Sequence, residues 1–352
     1  MELDIVSLGW DDGFAAAYAP FARPGHRPAR VARVDRGVCG LLAADGPVRA
    51  GLGGALLTRV ARDPLALPCA GDWVALCTWP DQRSTIEAVL PRRTRIVRAT
   101  VGGQSHGQVL AANLDYAAVV EPMDPEPRSG RLERLLALAW ASGAQPLVIL
   151  TKSDVVRRPE QVAAQVADLA PGAEVIAVSA RTGAGLDRLR PLVGRGRTLG
   201  LLGPSGAGKS TLVNALAGAT VMVTQANRRA DGRGRHTTAH RALIPLPEGG
   251  AVLDTPGLRG VGLLDEAAGG LELAFADIDA LAAACRFRDC GHEREPGCAV
   301  RGALATGDLS ARRLDSWRRL RRELTWQGRR SAEIRGRYRY RPAAGGPRRP
   351  AG

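Results

Sequence analysis

Between about residues 30 and 98, apolar and polar residues alternate in short runs broken by Gly and Pro, at 31–34, 38–42, 54–58, 72–78 and 84–90. A period of two at this spacing predicts five short strands with no helix among them, and therefore a small barrel, for which the oligonucleotide-binding type is the natural expectation. After residue 100 the pattern changes. Continuous apolar runs at 116–120, 146–150, 174–178, 198–202 and 251–253 predict buried strands, and helical spacing appears at 131–141, 160–169 and 209–216 between them. That alternation predicts a doubly wound, largely parallel sheet. Beyond residue 262 the chain reads as helical around a cluster of cysteines, and from residue 328 it becomes an Arg, Gly and Pro-rich tail for which no structure is expected. The expected fold is multidomain α/β: a barrel over 1–98, a doubly wound domain over 99–264, a helical domain over 265–327 and a basic, disordered tail over 328–352.

The run Gly203-Pro204-Ser205-Gly206-Ala207-Gly208-Lys209-Ser210-Thr211 follows one predicted strand and opens a helix with Leu212, Val213 and Leu216 on its inner side. Glycines at these positions let successive backbone N–H groups turn onto phosphate oxygens, and the helix N-terminus adds its dipole. Lys209 is expected on the β- and γ-phosphates and the Ser210 hydroxyl on Mg²⁺. Thr151-Lys152-Ser153-Asp154 follows another predicted strand. Its Asp154 can accept the guanine N1–H and exocyclic amine, a donor pair that adenine lacks, with Lys152 lying along the base. Thr151 stands where Asn is usual and supplies fewer hydrogen bonds. Ser179-Ala180, after the next strand, places the Ala180 N–H toward the guanine O6. Asp254 in Asp254-Thr255-Pro256-Gly257 is expected to reach Mg²⁺ through water and the Gly257 N–H to sense the γ-phosphate. Gly234-Arg235-His236-Thr237-Thr238 reads as a switch loop with Thr238 or Thr237 as the remaining Mg²⁺ ligand. Leu258 occupies the place where many GTPases carry a water-orienting Gln, and an aliphatic chain cannot polarise water. His236 is the candidate for that task.

The base-reading element precedes the phosphate loop, the reverse of the usual order, so the domain reads as a circularly permuted GTPase. The composition supports both motifs. Of 49 basic residues only Lys152 and Lys209 are lysines, and both fall where a compact ammonium is required.

Cys285, Cys290, His292 and Cys298 offer three thiolates and an imidazole in the spacing Cys-x₄-Cys-x-His-x₅-Cys. Four protein ligands make a closed structural Zn²⁺ site with no open position for catalysis. Cys39, Cys69 and Cys77 are expected buried and reduced. The net charge is +14, and residues 311–352 carry fourteen Arg against Asp315, Glu323 and Glu333, a balance of 14 − 3 = +11. A basic extension of this kind suits a polyanion such as RNA. The acidic start lacks the pattern of a secretory signal and no apolar run is long enough to span a membrane, so a cytoplasmic protein is expected.

Taken in order, the barrel, TKSD, VSA, GPSGAGKS, GRHTT, DTPGLR and the Cys/His segment resemble the ribosome small subunit-dependent GTPase A family. The similarity includes 108–115 and 295–300. The resemblance implies a GTP hydrolase acting late in maturation of the small (30S) ribosomal subunit, monomeric in solution, gripping ribosomal RNA with its barrel and zinc domain and stimulated by the subunit. It also implies a switch Thr at Thr238 and a catalytic His at His236. Two other readings fit part of the pattern: a GTP-gated RNA-binding module or chaperone with incidental hydrolysis, and an ATP-dependent enzyme sharing only the phosphate loop.

Overall fold

The structure, a computed structural model, describes residues 3–35, 37–99, 107–222, 242–255 and 267–339. Five strands, β1 (His26–Asp35), β2 (Val38–Ala43), β3 (Gly46–Leu52), β4 (Trp73–Thr78) and β5 (Ser84–Val89), run in the order β1-β2-β3-β5-β4, and β4 pairs back with β1 to close a barrel. The β3–β5 pairing is parallel and the others are antiparallel. Inward residues such as Val31, Leu41, Ala50, Val74, Leu76 and Ile86 fill its core.

Two expectations for the barrel are corrected. Residues 54–58 belong to a helix, Gly54–Arg62, rather than a strand, because Leu56 and Val60, one helical turn apart, pack into the barrel core. The third strand is Gly46–Leu52, whose Gly and Pro residues mask the alternation.

A two-stranded antiparallel sheet, β6 (Arg95–Ala99) with β7 (Gly107–Ala112), leads into the second domain. There the order is β10 (Glu174–Ala177), β9 (Gln145–Thr151), β8 (Tyr116–Pro122), β11 (Thr198–Leu202), β13 (Ala251–Asp254) and β12 (Ala242–Pro245). All neighbours are parallel except β12–β13. The central strands are buried along nearly their whole length, all but Tyr116 at the start of β8 and Gln145 at the start of β9, as their unbroken apolar runs require. One face packs on the helices Leu186–Leu189 and Lys209–Ala217, the other on Ser129–Ala141.

Strand β12 also pairs with β1, at Arg33 and Ala242, so barrel and domain share one continuous sheet. The buried Arg30 reinforces this junction by donating to Gly71 O at 3.3 Å, Asn113 O at 3.0 Å and Leu8 O. The C-terminal region is helical: Ala268–Ala274, Ala276–Ala283, Ala299–Thr306 and Ala311–Arg339. The last helix continues past Gly328, where an unstructured tail was expected to begin, because between Gly328 and Gly336 the chain offers mainly good helix formers. Among the described residues no helix is long and apolar enough to cross a membrane. Cys39, Cys69 and Cys77 are buried and in no disulfide, and burial pushes the Cys39 thiol up to about 11.

Candidate nucleotide site and metal centre

Strand β11 is wholly buried and is followed at once by Gly203, where a side chain would collide with Val120 O at 2.3 Å. The loop then turns through Gly206 and Gly208, both left-handed at φ +84° and +88°, and Gly208 opens the helix Lys209–Ala217. Ser210 lies in the first turn of that helix, half-buried, and Thr211 beside it is exposed. The Lys209 ammonium is folded inside the loop, donating to Gly203 O and Pro204 O at 2.9 Å each. Burial pushes its pKa down, opposed by the charges of Asp254 and Glu121.

Asp254 ends β13 level with Leu201 of β11. It is 4% exposed, and among the described residues its Oδ1 has no hydrogen-bond partner. Burial raises its pKa while Lys209 pulls it down. A buried carboxylate oxygen with an open lone pair costs free energy unless a ligand fills it. A hydrated divalent cation held beside the Ser210 hydroxyl has the right chemistry, so the residues fit Mg²⁺.

The segment Thr151 to Asp154 sits at the carboxyl end of β9. The Thr151 hydroxyl, 3% exposed, donates to Ala207 O at 2.6 Å, tying this segment to the phosphate loop. Lys152 adopts φ +61° and its Nζ reaches Asp124 O at 2.9 Å. The Ser153 N–H donates to Val178 O. The Asp154 carboxylate accepts from the Ser179 hydroxyl at 2.6 Å and from Arg181 Nε at 2.8 Å, and the first of these, joined by Arg181, holds its pKa below the usual range. Ala180 follows Ser179, whose N–H donates to Ala184 O in the same loop. Thr151, Asp154, Ser179 and the phosphate loop are thus brought to one edge of the sheet. Arg181 is absent from the residues singled out by sequence. The only hint is a basic residue directly after Ser179-Ala180. His236, Thr237, Thr238, Gly257 and Leu258 lie outside the described residues.

Cys285, Cys290, His292 and Cys298 converge, with all four ligand atoms within 4.8 Å of one another. Cys285 follows the helix Ala276–Ala283, and Cys298 caps the start of Ala299–Thr306. The Cys285 and Cys298 sulfurs are 3.8 Å apart, and His292 Nδ1 lies 3.4 Å from Cys298 Sγ and 3.6 Å from Cys285 Sγ. A Zn²⁺ tetrahedron with Zn–S of about 2.3 Å and Zn–N of about 2.0 Å has edges of about 3.8 Å and about 3.6 Å. The cluster therefore fits a closed metal site. Glu295 clasps the intervening loop by accepting N–H bonds from Gly291, Glu293 and Arg294.

A parallel sheet whose base-reading strands precede its phosphate-loop strand, behind a closed barrel and before a Cys₃His helical domain, defines a circularly permuted GTPase. The model of the RsgA GTPase family matches residues 89–264. The chain is 51% identical over 97% of its length to a Streptomyces coelicolor protein named small ribosomal subunit biogenesis GTPase RsgA, covering 93% of that protein. A relative of the same name from Opitutus terrae is 44% identical over 93% of this chain and 92% of its own. Two solved structures share the fold: YjeQ from Thermotoga maritima (TM-score 0.62, 22% identity, 85% of this chain and 99% of that one) and YloQ, described as a circularly permuted GTPase (TM-score 0.57, 21% identity, 92% and 98%). The chain belongs to the RsgA GTPase family and is a GTP hydrolase.

Proposed function

We propose that this GTPase acts in late maturation of the small ribosomal subunit, binding the subunit and its ribosomal RNA, hydrolysing GTP under the subunit's stimulation and leaving as GDP forms. Near-full-length similarity to proteins named for small-subunit biogenesis carries this reading. In it, residues 1–98 form the barrel domain, 99–264 the GTPase domain, 265–327 the zinc domain and 328–352 a basic tail for RNA. The working form is a cytoplasmic monomer.

In the GTP-bound protein, Gly203 to Ser210 with Thr211 cradle the phosphates. Lys209 exchanges its two carbonyl partners for phosphate oxygens, a stronger charge-assisted pairing. Asp154 reads guanine, with Lys152, Ser153, Ser179 and Ala180 framing the base, and Thr151 holds the base and phosphate ends at fixed separation. Mg²⁺ is held by Ser210, Thr238 and Asp254, and Gly257 senses the γ-phosphate. His236 positions the attacking water that Leu258 cannot. The Cys₃His cluster holds one structural Zn²⁺.

The test is GTP turnover by the purified protein with and without purified small subunits. A large stimulation, reduced in His236→Ala, is expected. A rate indifferent to the subunit would leave a GTP-gated RNA-binding module with incidental hydrolysis.

A further inference from the structure

Arg181 lies two residues beyond Ser179, in the loop that follows β10. Its Nε and one Nη each stand 2.8 Å from Asp154 Oδ2, while the Ser179 hydroxyl takes Oδ1 at 2.6 Å. The Asp154 side chain is left 12% exposed under an Arg181 side chain that is 76% exposed. The carboxylate assigned to the base is therefore already occupied by donors of the protein itself.

The occupant has a specific chemistry. Guanine offers a carboxylate two N–H groups from one edge of a flat conjugated ring, N1–H and the exocyclic amine. A guanidinium offers two N–H groups from one edge of a flat conjugated cation. We infer that Arg181 is an internal competitor for the guanine edge, so that nucleotide uptake is an exchange in which the base displaces the guanidinium from Asp154. This rests on the reading of Asp154 as the guanine acceptor.

Four consequences follow from the geometry. Arg181 can leave without disturbing the core, because most of its side chain already faces solvent. The competition acts at the base, which GDP and GTP share, so it weakens both by the same factor. Its size is that of an exposed ion pair, which corresponds to a weakening of at most about fivefold. Salt screens such a pair, so the effect fades as ionic strength rises.

The experiment is equilibrium titration of the full-length protein and of Arg181→Ala with fluorescent GDP and GTP analogues, at low and at high salt. Arg181→Ala is expected to bind both nucleotides about two- to fivefold more tightly at low salt, by equal factors, with the gap closing at high salt. Unchanged or weaker binding of both by the variant overturns the inference. So does a loss that is larger for GTP than for GDP, because it would assign Arg181 to the phosphates. Failure of the unaltered protein to bind either nucleotide would instead defeat the reading of the Asp154 pocket itself.

Discussion

In the proposed reading the base preference rests on the one carboxylate of Asp154, already oriented by the Ser179 hydroxyl. Replacing it with Asn keeps the shape but turns one acceptor into a donor that faces the guanine N–H groups. Hydrogen bonds to a charged group contribute about 1.5–3 kcal/mol, so Asp154→Asn should weaken GDP binding by roughly ten- to a hundredfold. Calorimetry with Mg²⁺ present measures this, and an unaltered affinity would mean that the base is read elsewhere. Asp11 supports a pH prediction at the same scale. It caps the helix Asp12–Tyr18 by accepting from the Phe14 N–H and pairs with Arg93, which first among the causes lowers its pKa to about 2. A depressed carboxylate pKa adds stability that is present above the unfolded value near 3.8 and is lost as pH falls through about 2. Asp11→Asn keeps a cap and loses the ion pair. The pair is half exposed, so the variant should be less stable by under about 1 kcal/mol near neutrality. Denaturant titrations along a pH series should show that gap shrinking from pH 4 toward pH 2. A gap constant down to pH 2 would assign the stabilisation to something other than the charge.

At the scale of elements, the helix Ser129–Ala141 joins the GTPase sheet to the C-terminal region. The helix Ala268–Ala274 approaches it so closely that a side chain on Gly270 would meet Ala137 O at 2.3 Å. Beside this contact, Glu133, fully buried, accepts from Arg312 at 3.0 Å and from Arg313 at 3.0 Å, and Arg313, 4% exposed, also pairs with Asp277 at 2.7 Å. Removing one partner of a buried pair strands the other charge, so Glu133→Ala should destabilise the protein by about 3 kcal/mol. Its chemical denaturation midpoint, compared with that of Asp277→Ala, checks this, and equal small losses would show that the pair does not matter.

None of this network is legible in the sequence, because Glu133 and Arg313 stand 180 residues apart and each reads locally as an ordinary helix-surface charge. The phosphate loop is legible because its backbone path admits only glycine at Gly203, Gly206 and Gly208, which writes geometry directly into residue identity. The parallel strands are legible for a related reason, since burial on both faces demands unbroken apolar runs. The barrel is half legible. Its closure needs a third strand whose pairing depends on neighbours rather than on Gly46–Leu52 itself, and a helix of two apolar contacts at 54–62 resembles a strand when read in fives. Thr151 reads in the sequence as a weaker guanine contact, and in the structure its hydroxyl makes the bond to Ala207 O, which no local pattern encodes.

At the scale of the whole molecule one core links three regions, while the barrel interior and one face of the sheet keep clusters of their own. One cluster of buried residues runs from Trp73 and Leu90 at the barrel, through Leu132 and Leu136, to Phe275, Ile278, Val300 and Trp317 in the C-terminal region, and it includes Cys290 and Cys298. The loop between Cys285 and Cys298 itself is poor in apolar residues, so packing contributes little to holding it, and a metal on the four ligands would supply the missing stability. Structural Zn²⁺ sites bind with about 10–16 kcal/mol at neutral pH, as much as the entire stability of a typical domain at about 5–15 kcal/mol. Chelation should therefore unfold the helices around the cluster, and with them the buried environment of Trp317, whose ring centroid lies 5.7 Å from that of His292. The candidate nucleotide residues on β9, β11 and β13 include none of the four metal ligands, and among the described residues of the last helix only Arg319 and Leu320 reach the cleft beside Gly203–Ala207, so GDP binding should largely persist after the metal is gone. One zinc per chain by elemental analysis, a lowered first thermal transition with red-shifted tryptophan emission after chelation, and retained GDP uptake form one expected outcome. If the chelated protein melted as the native one does, the four ligands would be a cysteine cluster held by packing alone.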